Sequence, residues 1–152
     1  MKLLRLFRSR RPKRTVAYHV NGRIVIATIQ KTTAGLGLEN DPQIVIAPFE
    51  AVEVARTLRR ALEASTRVIE HPAQNEWKGT FQPMAKAAGV RSWKAFVEKA
   101  KGVAIDEIDG SVRITPYLSL GSKEGFKEAL DERVTTPDLK AATNRLLQHF
   151  RV

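Results

Sequence analysis

The chain has no cysteine among its 152 residues. That removes disulfides, thiolate nucleophiles and cysteine-based zinc sites, and it suits a reducing compartment, with the cytoplasm as the expected location. Long apolar runs are also missing: the longest, 24–29 and 44–48, fall well short of the roughly 18 residues a membrane span needs, so no span is expected. Residues 1–7 are basic and apolar, but Lys2 and Arg5 break the continuous apolar stretch that a secretory signal requires. An arginine-rich, acid-free start is also a feature of mitochondrial presequences. No repeat and no low-complexity segment stands out beyond this basic beginning.

Chemical motifs are sparse as well. His19, His71 and His149 stand apart, none in metal-ligand spacing with another histidine or a nearby carboxylate pair. His19 falls in a strand beside a turn, and His71 and His149 read as exposed. Gly35-Leu36-Gly37 is followed by Leu38, Glu39 and Asn40 rather than by a further glycine and a helix, so it fails as a dinucleotide fingerprint. No phosphate-binding GxxxxGK[ST] occurs, and no serine sits in a nucleophile-elbow context. Asp106, Glu107 and Asp109 could offer hard oxygen ligands to a cation, but strand alternation aims Asp106 and Glu107 at opposite faces. The expectation is a binding protein, not an enzyme, with no metal and no cofactor.

Charge is abundant, and its position matters more than its total of +10. Residues 1–14 hold seven basic side chains (Lys2, Arg5, Arg8, Arg10, Arg11, Lys13, Arg14) and no acid. The remainder, 15–152, has 19 basic against 16 acidic residues, a body of +3. Within it, 103–138 carries eight acids against Arg113, Lys123, Lys127 and Arg133, a local −4. Two units follow: a basic arm over 1–14, disordered in part, and a single domain over 15–152, whose 43% apolar content suffices for one core.

The periodicities predict an α+β fold. Runs 15–20 and 23–29 flank Asn21-Gly22, the dipeptide of a tight hairpin turn, with one face of the first strand more buried than the other. A loop over 31–42 and a third strand over 43–47 come next. Ala51, Val54, Ala55, Leu58, Ala61 and Leu62 recur at three and four, the mark of an amphipathic helix with Arg56 and Arg60 outside and Arg59 on the flank. A short helix from Pro83 stops at Gly89, and another, capped by Ser92, presents Trp93, Phe96, Val97 and Ala100 and ends at Gly102. A second hairpin, 103–108 and 111–117, turns on Asp109-Gly110, with Pro116 suited to an edge or a strand end. The last helix begins with Thr136 as cap and Pro137, and buries Leu139, Ala142, Leu146, Leu147 and Phe150. The expected architecture is an antiparallel or mixed sheet of two hairpins plus one strand, with helices packed against it.

Across 87–126, Ala88-Gly89-Val90, Ser92-Trp93-Lys94 with Phe96 and Ala100, Val103 and Ile105, Ile114-Thr115-Pro116 and Gly125-Phe126 carry a likeness. In these residues the chain resembles the immunity proteins of bacterial contact-dependent growth inhibition systems (CdiI type). The resemblance implies a cytoplasmic protein that binds the toxic C-terminal domain of its cognate effector, often a nuclease, one to one. It requires a complementary surface rather than a catalytic residue. An acidic surface would steer association with a basic nucleic-acid cleft, which directs attention to Asp106, Glu107, Asp109, Glu124, Glu128, Asp131 and Glu132. The alternative is a nucleic-acid-binding accessory protein that uses Arg8, Arg10, Arg11, Lys13 and Arg14 on phosphate.

Overall fold

The structure, a computed structural model, describes residues 12–152. Its elements run β1 (Lys13–Val20), β2 (Arg23–Lys31), β3 (Gly37–Ile46), α1 (Ala51–Ala64), α2 (Gln82–Ala88), α3 (Trp93–Lys99), β4 (Lys101–Ile108), β5 (Ser111–Ser119), β6 (Phe126–Glu128), β7 (Val134–Thr136) and α4 (Leu139–Phe150). Short 3-10 segments lie at Gln74–Gly79 and Leu130–Glu132. All strand pairs are antiparallel, in the order β3-β2-β1-β4-β5, with β6 and β7 sharing the outer edge of β5. This is the expected α+β class.

Both hairpins form where the turn residues place them. Asn21 and Gly22 adopt φ of 51° and 71°, Asp109 and Gly110 φ of 49° and 85°, the positive values that a two-residue primed turn demands. Each turn sets its register, so Asp106 faces Arg113. Between the hairpins, β1 pairs with β4 and closes the sheet.

The sheet is covered on both faces. Ala17, Ile24, Ile26, Val103 and Ile105 pack beneath α1 and α4, against Val54, Leu58, Leu62, Leu146 and Phe150. Val16, Tyr18, Val20, Val25 and Ala27 pack on the other side beneath α2 and α3, against Met84, Ala88 and Phe96. The expected one-sided burial of β1 is therefore corrected: Val16, Ala17 and Tyr18 are all buried, because a helix layer lies over each face. Each large aliphatic side chain taken fully from water in this way contributes about 1.5–3 kcal/mol.

Several local expectations change. The loop expected over 31–42 is largely strand, since β3 starts at Gly37. Its polar and proline content is tolerated on a sheet edge, and a register shift opposite 26–28 absorbs Asp41 and Pro42, with Asp41 at φ 49°. Gly102 does not stop α3, which ends at Lys99; it lies in β4, where a Cβ would come within 2.7 Å of the Tyr18 and Tyr117 rings. The cap of α4 is Asp138, whose carboxylate accepts from the Ala141 N–H at 2.8 Å, while Thr136 belongs to β7 and donates to the Val112 carbonyl. Pro116 sits inside β5, opposite the gap between β6 and β7, and its carbonyl accepts from Ala129 N–H. The ordered strand β1 begins at Lys13, so Lys13 and Arg14 are part of the sheet. Residues 1–11 of the expected arm lie outside the described residues.

Candidate binding face

On β1, Arg14, Val16, Tyr18 and Val20 share one side, and helices α2 and α3 cover it from Val16 to Val20. The opposite end carries a row of charge. Arg14 faces Asp106 across β1–β4, and Asp106 faces Arg113 across β4–β5. Arg14 Nε donates to Asp106 Oδ1 at 2.7 Å and Nη2 donates to Glu128 at 3.3 Å. Arg133 completes the lattice, with Nη2 on Glu128 at 3.4 Å and Nε on the Thr115 hydroxyl at 2.9 Å. Arg113 approaches the other Asp106 oxygen at 3.8 Å, and its buried Nε has no hydrogen-bond partner. The guanidinium groups roof the carboxylate, which leaves Asp106 2% exposed.

The reverse side repeats the arrangement. Glu107 receives two hydrogen bonds from Arg59 of α1, at 2.7 and 2.8 Å, and Lys13 donates to Glu63 at 3.0 Å. Arg59 hydrogen bonding holds the Glu107 carboxyl below its ordinary range, against the opposing pull of burial. Asp106 and Glu107 thus point to opposite faces, each toward its own arginine.

Tyr18 joins the aromatic cluster to β3. Its hydroxyl donates to Glu39 at 2.6 Å, and burial pushes both groups upward, the Tyr18 phenol strongly and the Glu39 carboxyl with opposition from that hydrogen bond. Burial also raises Tyr117. Trp93, Phe96 and Phe126 pack around the same center, with Phe96 4.8 Å from Tyr18 and Trp93 Nε1 donating to the Ser122 carbonyl.

The residues singled out in the sequence divide into two groups. Asp106, Glu107 and Glu128 are joined to Lys13 and Arg14, so these acidic and basic candidates are each other's partners. Asp109, Glu124, Asp131 and Glu132 are exposed and form no ion pair among the described residues. Arg8, Arg10 and Arg11 lie outside the described residues. The exposed acids have apolar neighbors along 118–132, where Leu118, Leu120 and Leu130 expose 48%, 44% and 61% of their surface.

His19 and His149 both flank Phe150, and His71 stands apart. His19 also meets Phe49, with burial and Lys101 lowering its pKa, and the same two causes lower His149 against an opposing pull from Glu132. His71 is half-buried rather than exposed, with Nδ1 2.8 Å from the Thr32 hydroxyl and its ring 5.2 Å from Trp77. Among the described residues no three histidine or carboxylate side chains gather as metal ligands. No helix there is long and apolar enough to cross a membrane.

Two solved structures share this fold. A Neisseria meningitidis protein of unknown function superposes with a TM-score of 0.68 at 11% identity, over 94% of this chain and 98% of that one. A chain of the CdiA-CT/CdiI toxin and immunity complex from Yersinia pseudotuberculosis superposes with a TM-score of 0.66 at 10% identity, over 91% and 96%. No family model and no curated protein matches the sequence. At such identities the likeness is one of fold, and it spans nearly the whole of each chain.

Sequence reasoning missed Arg113 and Arg133 as members of the lattice, along with the Tyr18–Glu39 pair. Arg113 had a signal: a two-residue turn at Asp109-Gly110 sets Asp106 opposite it. Arg133 and Glu39 had none, because β6, β7 and the early part of β3 are short or polar.

Proposed function

We propose that the protein is an immunity protein that binds and neutralizes the C-terminal toxin domain, a nuclease, of a contact-dependent growth inhibition effector, one to one in the cytoplasm. The observation that carries this reading is the likeness in fold to a chain of a toxin and immunity complex over 91% of this sequence. The residues behind the sequence resemblance support it, since Trp93, Phe96 and Phe126 meet in one aromatic cluster.

The contact surface best suited to a basic nuclease cleft is 118–132, where exposed leucines can act as apolar anchors and Glu124, Asp131 and Glu132 form an acidic rim interrupted by the exposed Lys123 and Lys127. Asp106 and Glu107 act indirectly, by holding the strands that carry this surface.

Co-purification with the C-terminal domain of the effector encoded beside this chain is the test. A stable one-to-one complex by size exclusion is expected. Glu124→Lys, Asp131→Lys and Glu132→Lys together should weaken it by about tenfold or more through lost charge complementarity. No complex at micromolar concentration would sink the reading.

A further inference from the structure

A cavity of about 330 Å³ opens between the start of β1, the end of β2 and the segment that leaves α1. Its size is at the lower limit of pockets that take small molecules, about 300 Å³. The charged residues that line it are both cationic, Arg14 and Lys31. Arg14 spends Nε and Nη2 on Asp106 and Glu128, which leaves Nη1 without a hydrogen bond among the described residues. Lys31 is exposed and enters no ion pair among them.

The other polar liners are acceptors. Ser65 donates its hydroxyl proton to the Leu62 carbonyl and accepts the Arg14 backbone N–H at 2.9 Å, and Thr66 donates to the Glu63 carbonyl, so what they offer a ligand is the lone pairs left over. Those bonds, with Gln30 Nε2 on the Ala64 carbonyl, also occupy the last carbonyls of α1, which would otherwise repel an anion. Ile29 and Val68 supply apolar wall, and Val68 is 48% exposed. Gly35 and Gly37 close the rim with bare backbone; Gly35 holds φ 86°, and a Cβ on Gly37 would press within 3.2 Å of Ile29. The Gly35-Leu36-Gly37 run, which fails as a dinucleotide fingerprint, thus borders a cavity of a different construction.

We infer that this cavity binds a small phosphomonoester bearing hydroxyl donors and a flat apolar body, the chemistry of a nucleoside monophosphate. The phosphate carries about −1.5 to −2 charge at neutral pH; Lys31, unpaired among the described residues, meets it, and Arg14, whose charge is already shared with Asp106 and Glu128, adds its unbonded Nη1. Sugar hydroxyls match the lone pairs of Ser65 and Thr66, and a base matches Ile29 and Val68. The inference does not depend on the immunity reading.

Titration of the full chain with AMP, followed by proton–nitrogen correlation NMR, tests it. Saturable shifts are expected at the Gly35, Gly37 and Thr66 amides. Lys31→Glu should weaken binding by about tenfold or more through loss of a charge-assisted contact, and Val68→Trp, which fills the cavity from an exposed position, should do the same without a charge change. Adenosine and inorganic phosphate, each half of the ligand, should both bind more weakly than AMP. The inference is overturned if AMP gives no saturable shifts, if they map elsewhere, if both variants bind as the parent does, or if inorganic phosphate binds as tightly as AMP.

Discussion

Arg14 and Asp106 are 92 residues apart in the chain and join side chain to side chain at 2.7 Å, in register across β1 and β4. The carboxylate is 2% exposed, so its charge depends on the guanidinium groups above it. Asp106→Asn should lower stability by about 2 kcal/mol, the scale of a hydrogen bond to a charged group. Urea unfolding measures it, and Arg14→Met should add much less on the Asp106→Asn background than on the parent. Additive losses would mean that the two residues are not coupled.

Glu107 gives a pH-dependent counterpart. Because Arg59 depresses its folded pKa, its stabilization is present above the ordinary carboxylate range, near pH ~4.3, and is lost as pH falls through the lowered folded value. Arg59 is 41% exposed, which limits the pair to about 0.5–1 kcal/mol. Glu107→Gln should therefore cost that much at pH 7 and nothing at a pH below the depressed value. An equal cost at both pH values would point to packing instead of charge.

Glu39 runs the other way. Burial raises its folded pKa, so its contribution is fully present below the unfolded carboxylate pKa and is lost as pH rises through the folded value. Glu39→Gln can still accept the Tyr18 hydroxyl proton through its amide oxygen. The variant should be at least as stable as the parent at pH 7 and lose that advantage near pH 4, as thermal melts across this range would show. A variant less stable at pH 7 than at pH 4, relative to the parent, contradicts this.

Gly102 is set between two rings. A methyl group there would lie 2.7 Å from Tyr117 Cδ2 and from Tyr18 Cε1, so Gly102→Ala should cost about 1–3 kcal/mol, the usual range for overpacking. Gly22→Ala, with open space around its Cβ, should cost only the strain of its positive φ. Chemical unfolding of both separates crowding from strain, and a neutral Gly102→Ala would show that the rings can move aside.

Local chemistry was legible in the sequence. The Asn21-Gly22 and Asp109-Gly110 turns, the apolar stripe of α1, the Gly89 stop of α2 and the Ser92 cap of α3 all depend on residues within a few positions of one another. The α4 cap was displaced by two residues because Thr136 is drawn into β7 by its bond to Val112, a tertiary partner 24 residues away. The early part of β3 read as loop because a sheet edge and a bulge accommodate glycine, asparagine and proline that a central strand would reject.

The sequence by itself determined the α+β class, both hairpins and their registers, and the opposed orientation of Asp106 and Glu107, since turn geometry and strand alternation are short-range properties. Only the tertiary structure decided that β1 pairs with β4, and with it that Lys13 and Arg14 meet Glu107 and Asp106. Charge counted along the chain separates a basic start from an acidic stretch. Pairing across a sheet brings them together, because a buried carboxylate is stable only where a distant cation is folded onto it.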